Sequence, residues 1–354
     1  MDLTELLSLT ITRGASDLHL VAEYPPSLRI NGELKPLLSM NILNSQDIEN
    51  MIFSCLSAAQ KELLIANREL DFSAVFKLNS EEKHRFRVNS YFQKNTLAAS
   101  FRVIPTKIKS LAELNLPQIL ANFATLRDGL VLLTGPSGQG KSTTIASIIQ
   151  IINENRQAHI ISIEDPIEYE FARAKAIISQ REMYQDTHSW LNALKYAVRE
   201  DPDVVFIGEM RDYETISAAL TIAETGHLVF STLHTNSASQ TIDRIIDIFP
   251  SGQQAQVRMQ LSMVMRGIIS QRLVPMVAGG RLPICEVLLG TDSVKNTIRE
   301  GNTHMIDNII QTSGESGMML FEEHLRQKVD QNLIANEIAV QYALRPATYL
   351  QLIR

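Results

Sequence analysis

The segment GPSGQGKS, residues 135–142, decides what the surrounding chain can fold into. It satisfies the pattern G-x-x-x-x-G-K-[ST] at every fixed position. The apolar run LVLLT at 130–134 predicts a buried strand before it, and TTIASIIQII at 143–152 predicts an apolar-faced helix after it. A strand, a glycine-rich loop and a helix in this order favour a phosphate-binding loop over a turn that matches by accident.

The predicted phosphate contacts cover the whole loop and the first turn of the helix. Backbone N–H groups there face the anion, Lys141 is expected to reach the β- and γ-phosphates, and Ser142 is expected to bind Mg²⁺. No NKxD sequence of the kind that recognises guanine occurs in the chain, which favours ATP over GTP. The predicted nucleotide contacts are Gly135, Pro136, Ser137, Gly138, Gln139, Gly140, Lys141, Ser142 and Thr143.

Two acids flank a further predicted strand in DPDVVFIGE, residues 201–209. Asp203 precedes the strand and Glu209 follows it, so at about 3.3 Å per residue the two carboxylates lie roughly 20 Å apart. Ligands of open α/β sheets gather at the carboxyl ends of the strands. Glu209 is therefore the predicted Mg²⁺ ligand and Asp203 is not. The alternative for Glu209 is a solvated loop acid.

A third acidic segment, EDPIE at 164–168, follows the strand predicted at 159–163. Carboxylates beside a triphosphate are electrostatically costly unless they bind Mg²⁺ or water or accept a proton. By composition alone, a capped turn with surface acids explains Glu164, Asp165 and Glu168 equally well.

Two histidines, His227 and His234, flank a short apolar run in AETGHLVFSTLHT, residues 223–235. The β-branched and aromatic residues between them favour a strand, which separates the histidines by roughly 20 Å and excludes one metal ion bound by both. Only His234 then lies at the carboxyl end of the strand, where we expect it to sense the γ-phosphate. His227 is left for a structural role.

The residues before about Pro117 predict a small α+β domain. Runs such as RFRVNSYF at 85–92 and AASFRVI at 98–104 are β-rich, and helical stretches at 1–12 and 45–66 lie among them. We expect an antiparallel sheet here.

From Leu130 onward, short apolar strands alternate with helical stretches, which is typical of a parallel α/β sheet. After about Gln253 the chain is predicted to be mostly helical. The predicted division is an N-terminal domain at 1–104, a linker at 105–117 that contains two prolines, and an ATPase domain at 118–354.

Composition narrows the function classes. The 354 residues carry a formal net charge of -6, which disfavours general nucleic-acid binding. Two cysteines exclude a four-cysteine zinc site and are typical of a reducing compartment. Asp2 and Glu5 stand where a signal peptide carries basic residues, and no run approaches the roughly 18 apolar residues of a membrane span. We therefore expect a cytoplasmic protein.

These motifs, in this order, resemble those of the secretion ATPases of type IV pili and type II secretion, and most closely the PilT-type pilus retraction ATPases. The similarity covers nearly the whole chain, and so many ordered motifs are far more specific than the phosphate loop alone. The segments that carry it are ASDLHL, RFRVN, GPSGQGKSTT, IEDPIEY, LKYAVREDPDVVFIGEMRD, AETGHLVFSTLHT, TIDRIIDIFP and SQRLVP.

The resemblance implies a PAS-like N-terminal domain, a RecA-like ATPase domain, and a hexameric ring with nucleotide bound between the two domains. Glu168 matches the glutamate that positions the attacking water, with Glu164 and Asp165 in support. Glu209 matches the Walker B acid. The His box of the family holds both His227 and His234, which adds an inter-subunit role for His227.

Arginines of the N-terminal domain reach towards the γ-phosphate in this family. By motif alignment these are Arg85 or Arg87, and Arg102. An arginine there stabilises the charge of the transferring phosphoryl group. Without the resemblance, RFRVN is predicted to be an edge strand with solvated arginines.

The resemblance implies a homohexameric motor that hydrolyses MgATP and drives pilin depolymerisation and twitching motility. Its expected partner is the pilus platform protein at the inner face of the cytoplasmic membrane, with a paralogous pilus ATPase as a further candidate. No direct nucleic-acid contact is expected.

Three alternatives stay open. The first is an accessory retraction ATPase, because SVKNTIRE at 293–300 departs in part from the retraction motif and Ser231 replaces a more usual glycine. An assembly, competence or secretion ATPase of the same superfamily belongs to this first alternative too, although the missing cysteines and the kept part of SVKNTIRE argue against assembly. The second is a RecA-like nucleic-acid motor. The third is a nucleotide-binding scaffold without turnover.

Overall fold

The strands of the chain form two sheets, each in its own structural unit. The computed structural model describes residues 2–30, 32–77, 83–105 and 107–353. One unit consists of Met1–Lys107 with Pro166–Glu170, and the other of Ile108–Asp165 with Phe171–Arg354. The short segment Pro166–Glu170 thus belongs with the first unit although its neighbours in sequence belong with the second. The division predicted at 1–104, 105–117 and 118–354 stays a prediction.

The first unit is built on an antiparallel sheet with strand order β3-β2-β1-β6-β5-β4. Its strands are β1 (Asp17–Leu20), β2 (Ser27–Ile30), β3 (Glu33–Pro36), β4 (Glu69–Lys77), β5 (Lys83–Gln93) and β6 (Thr96–Ile104). Its helices are α1 (Leu3–Thr12), α2 (Ser45–Ser54) and α3 (Ala58–Asn67).

The core of this unit consists of apolar side chains from the helices and from alternate strand positions, which is the period-2 pattern of a sheet with one covered face. They include Leu6, Leu18, Ile48, Phe86 and Phe101. The structure corrects one prediction: β5, which carries RFRVN, is not an edge strand, because it pairs with β4 on one side and β6 on the other.

The second unit is built on a sheet with strand order β13-β12-β7-β11-β10-β8-β9, in which β13 alone among the described strands runs antiparallel to its neighbour. Its strands are β7 (Gly129–Thr134), β8 (His159–Glu164), β9 (Ile177–Glu182), β10 (Val204–Ile207), β11 (Leu228–Leu233), β12 (Met265–Pro275) and β13 (Arg281–Leu289).

Ten helices belong to the described part of this unit. They are α4 (Lys141–Asn155), α5 (Trp190–Ala197), α6 (Tyr213–Glu224), α7 (Ala238–Asp247), α8 (Ser251–Val264), α9 (Asp292–Glu300), α10 (Ile306–Thr312), α11 (Phe321–Asp330), α12 (Asn336–Tyr342) and α13 (Pro346–Leu352). Short 3₁₀ segments lie at Gln118–Thr125, Thr303–Met305 and Gly314–Ser316. Within the described ranges, every helix is too short or too polar to cross a membrane.

The central strands of the second unit are buried on both faces, which explains why they are apolar throughout. Leu130 and Leu132 of β7 pack with residues of α5 to α8 on one face. Val131 and Leu133 pack with α4 on the other face. The helix that follows the phosphate loop is therefore held by apolar contacts along its length.

The hairpin of β12 and β13 was not predicted. The sequence pattern after Gln253 predicts mostly helix, and the remainder of this region is helical. β12 pairs in parallel with β7 and so extends the central sheet beyond the phosphate-loop strand. The ends of the hairpin pack against α11 to α13 through a separate apolar cluster that includes Val274, Ile284, Phe321 and Tyr349.

A buried ionic cluster joins this hairpin to the C-terminal helices. Arg345 Nη1 donates to Glu286 at 2.9 Å and to Glu322 at 3.1 Å, and Arg345 Nε donates to Asp307 at 2.8 Å. Both glutamates are buried. Glu286 also accepts a hydrogen bond from the backbone N–H of Ala238, at the start of α7, at 2.8 Å. Burial raises the pKa of the Glu286 carboxyl, and the charge of Arg345 opposes that rise.

We expect that replacing Arg345 with alanine will lower the free energy of unfolding of the second unit by about 3–5 kcal/mol, because it leaves buried carboxylates without a compensating charge. Urea-induced unfolding followed by the fluorescence of Trp190, the single tryptophan of the chain, measures this loss.

Arg326 provides the matched control, because it makes an exposed pair with Asp330 at 3.5 Å. Replacing Arg326 with alanine should change the free energy of unfolding by no more than about 0.5 kcal/mol. Equal losses in the two variants would contradict a structural role for the buried cluster.

Candidate active site

The loop 135–140 connects β7 to α4 and has the backbone of an anion-binding loop. Gly135, Gly138 and Gly140 have positive φ angles of 142°, 73° and 79°, which residues with a side chain rarely adopt. Gly140 stands immediately before α4, so the first N–H groups of the helix continue those of the loop. The predicted strand–loop–helix order is therefore present.

Lys141 is buried, and its ammonium group lies against the loop. Its Nζ donates to the carbonyl oxygens of Gly135 at 2.7 Å and Pro136 at 3.0 Å. The side chain thus folds back over the loop from the first residue of α4. Ser142 and Thr143 follow it and are half-buried.

Glu209 and His234 lie in contact at the carboxyl edge of the sheet. His234 Nε2 is 3.0 Å from Glu209 Oε1, and Arg211 Nη2 is 2.9 Å from Glu209 Oε2. The strands that precede the two residues, β10 and β11, pair in parallel, and β11 also pairs with β7, which precedes the phosphate loop. Glu209, His234 and the phosphate loop therefore lie at the same edge of the sheet, as the argument from strand ends predicted. Arg211 was not predicted, although its position two residues after Glu209 is a usable signal.

Two residues lie at the opposite, amino-terminal edge. Asp203 Oδ2 accepts the backbone N–H of His159 at 2.8 Å, where β8 begins. His227 Nδ1 lies 3.0 Å from the carbonyl oxygen of Ile222 and 3.0 Å from Thr225 Oγ1, so it closes the carboxyl end of α6 just before β11. The two histidines therefore occupy separate positions at the two ends of one strand, as predicted.

The three acids of the segment 164–168 have different surroundings. Glu164 is the last residue of β8 and is buried, and its Oε1 accepts from Ser162 Oγ at 2.6 Å and from Gln180 Nε2 at 3.3 Å. Asp165 is exposed. The hydrogen bond and the charge of Glu209 raise the pKa of the Arg211 guanidinium, and the charge of Asp165 makes a smaller contribution in the same direction. Glu168 is exposed and belongs to the first unit.

The three predicted arginines each pair with a carboxylate inside the first unit. Arg85 Nη1 is 2.8 Å from Glu170, Arg87 Nη2 is 2.6 Å from Asp71, and Arg102 Nε is 2.9 Å from Asp17. These contacts hold the guanidinium groups on the sheet of that unit. Their expected role towards a phosphate stays a prediction.

The donor set suits Mg²⁺. A serine hydroxyl and a carboxylate, Ser142 and Glu209, are hard oxygen ligands, and they follow strands β7 and β10 on either side of β11. Within the described ranges, no group of three or more His, Cys, Asp or Glu side chains forms a ready-made metal site. Mg²⁺ is usually held by one or two protein oxygens together with phosphate oxygens and water, which is compatible with this arrangement.

Comparison with known proteins assigns the family. A family profile described as Type II/IV secretion system protein matches residues 1–345. The chain belongs to this family. Residues 1–345 include the phosphate loop, Glu209 and both histidines.

Two relatives within the type II/IV secretion family match over all or most of their length. The chain is 41% identical to the type IV pilus retraction ATPase PilT of Pseudomonas aeruginosa, over 99% of this chain and 100% of that protein. It is 39% identical to the type IV pilus ATPase PilU of the same species, over 97% of this chain and 89% of that protein. The crystal structure of the pilus retraction motor PilT with bound ADP matches with a TM-score of 0.92 at 42% identity, covering 99% of both chains.

The different surroundings of the two histidines lead to a test. We expect His227→Ala to lower the free energy of unfolding by about 1 kcal/mol, because it removes the hydrogen bonds that close α6. His234→Ala, at a half-exposed contact with Glu209, should lower it by less than about 0.5 kcal/mol. Urea unfolding of both variants measures the difference. A larger loss for His234→Ala would contradict these assignments.

Proposed function

We propose that this chain is a motor ATPase that couples the hydrolysis of MgATP to retraction of a type IV pilus. The full-length similarity to PilT, whose structure contains ADP, is the observation that carries the proposal. The phosphate loop, Glu209 and His234 supply the chemistry that such an activity needs, at one edge of one sheet.

Binding of the triphosphate depends on the loop and on Lys141. The backbone N–H groups of the loop and of the first turn of α4 donate to the phosphate oxygens, and the helix N-terminus adds a favourable dipole. The ammonium group of Lys141 already lies at the loop carbonyls, so a small movement brings it to the phosphates. Its positive charge then offsets the charge that develops on the leaving phosphate.

Mg²⁺, held by Ser142 and Glu209 together with the nucleotide, would neutralise charge on the β- and γ-phosphates. Arg211 and His234 hold the two oxygens of Glu209 in position. His234 is proposed to sense the γ-phosphate, and its direct contact with Glu209 supports this role.

Glu168 is proposed as the residue that positions the attacking water and accepts its proton, with Glu164 and Asp165 in support. Glu168 is exposed, whereas Glu164 is buried and hydrogen-bonded to Ser162. Water access therefore favours Glu168 for proton transfer, and the contacts of Glu164 favour a supporting role. Arg85 or Arg87, and Arg102, are proposed to stabilise charge on the γ-phosphate.

The proposed assembly is a homohexamer at the cytoplasmic face of the inner membrane, where ATP-driven domain movements act on the pilus platform protein. His227, at the amino end of β11, is proposed to serve a structural or inter-subunit role. Pilus ATPases related to this chain, PilU among them, are candidate partners.

We expect Glu168→Gln to lower kcat for ATP hydrolysis by about 100-fold or more, because general-base catalysis contributes a factor of that order. The Kd for ATP should stay within about twofold of wild type, because an amide in place of the carboxylate removes no phosphate contact. Steady-state phosphate release and nucleotide titration measure the two quantities.

Glu154→Gln is the control, because Glu154 lies at the far end of α4 from the loop and accepts a hydrogen bond from Gln150 at 2.7 Å. Its kcat should equal that of wild type. An unchanged hydrolysis rate in Glu168→Gln would show that the catalytic assignment is wrong.

The direction of the motor is tested by deletion of the gene in its host. Retraction predicts excess surface pili and no twitching, because pilins are added but not removed. Pilus counts by electron microscopy and twitching-zone diameters measure this. Cells without pili would indicate an assembly motor, and normal pili with reduced twitching would indicate an accessory motor.

A further inference from the structure

The side chain of Gln271, in β12, forms hydrogen bonds with the phosphate loop and with the helix after it. Gln271 is buried. Its Nε2 donates to the carbonyl oxygen of Gln139 at 2.7 Å, and its Oε1 accepts from Thr144 Oγ1 at 2.8 Å. The opposite orientation of the amide would place two acceptors 2.7 Å apart, so these partners fix which end is oxygen.

A second contact makes the pairing reciprocal. Gln139 Oε1 accepts the backbone N–H of Leu273 at 2.7 Å. Each glutamine side chain thus bonds to the backbone of the segment that carries the other. The loop residue Gln139 is held both through its main chain and through its side chain.

The glycines at the two ends of the loop also lie against residue 271. A Cβ atom on Gly135 would come within 2.2 Å of the carbonyl oxygen of Gln271, and one on Gly140 would come within 3.0 Å of Gln271 Nε2. The loop therefore packs directly on β12, with no space for a side chain between them at Gly135.

The bond to the Gln139 carbonyl sets the direction of the next N–H group. In a planar trans peptide the carbonyl of Gln139 and the N–H of Gly140 point in opposite directions. Because Gln271 holds the carbonyl towards β12, the N–H of Gly140 points away from β12, which is the direction required of an anion donor in such a loop. The same amide holds Thr144 and so fixes the first turn of α4 relative to the loop.

We propose that Gln271 is a positioning residue for phosphate binding. It holds the Gln139–Gly140 peptide so that its N–H group faces the nucleotide, and it makes no contact with the nucleotide itself. The inference rests on the proposed ATPase function. A preset loop binds the ground state and the transition state alike, so its loss raises KM and the Kd for nucleotide while kcat is largely kept.

The test is Gln271→Leu in the purified full-length protein. The leucine keeps most of the volume but removes both hydrogen bonds. We expect KM for ATP, and Kd for a fluorescent ADP analogue, to rise about tenfold, which corresponds to one or two lost hydrogen bonds. The kcat value should stay within about twofold of wild type.

Two further variants separate positioning from stability. Ser270→Ala removes a buried hydrogen bond between β7 and β12, which joins Thr134 Oγ1 to Ser270 Oγ at 2.9 Å. This variant should lower the melting temperature without changing KM. Gln271→Glu keeps an acceptor for Thr144 but, when ionised, has no donor for the Gln139 carbonyl, so it should keep the raised KM.

The outcomes distinguish this inference from the function on which it rests. A wild-type protein that neither binds the ADP analogue nor hydrolyses ATP would overturn the proposed function. An active wild type together with an unchanged KM and Kd in Gln271→Leu, or with equal shifts in Ser270→Ala, would overturn the positioning role. A normal KM in Gln271→Glu at a pH at which the new carboxyl is ionised would overturn the assignment to the Gln139 carbonyl.

Discussion

Parallel pairing of β7 with β11 on one side and β12 on the other determines where the phosphate loop lies. Leu233 of β11 pairs with Thr134, the last residue of β7, so the two strands end at the same edge of the sheet. Because β10 and β8 continue the same parallel arrangement, their following residues emerge at the same edge. The position of every acid and histidine proposed to act in the second unit follows from this one constraint.

Much of this arrangement could be predicted because it depends on short stretches of sequence. The loop motif predicts the strand before it and the helix after it. The length of a strand separates Glu209 from Asp203, and His234 from His227, so each residue can be assigned to one edge of the sheet. The contact between His234 and Glu209 agrees with that reasoning. The rise per residue of a strand was sufficient to assign these positions, and no knowledge of side-chain packing was needed.

Other features could not be predicted, because they depend on packing between distant parts of the chain. β12 contains Gln271 and Arg272 and lacks the uniform apolar character of the other central strands, so its sequence does not indicate a strand beside β7. RFRVN carries charged residues at alternate positions, which suggests an edge, yet β5 lies inside its sheet because β4 and β6 pair with it on either side. Arg85 and Arg87 pair with Glu170 and Asp71, and these contacts with distant residues are not visible in the local pattern.

The hairpin that the sequence pattern missed connects the loop to the rest of the second unit. Gln271 pairs across the hairpin with Cys285, and Ser270 pairs with Glu286. Gln271 holds the phosphate loop, while Glu286 holds the start of α7, four residues after His234, and also binds Arg345. Adjacent positions on two paired strands therefore support the phosphate loop, the segment after His234 and the C-terminal helices. A displacement of this hairpin cannot alter one of the three without altering the others, because a paired sheet moves as a body and its buried polar contacts have no water to replace them.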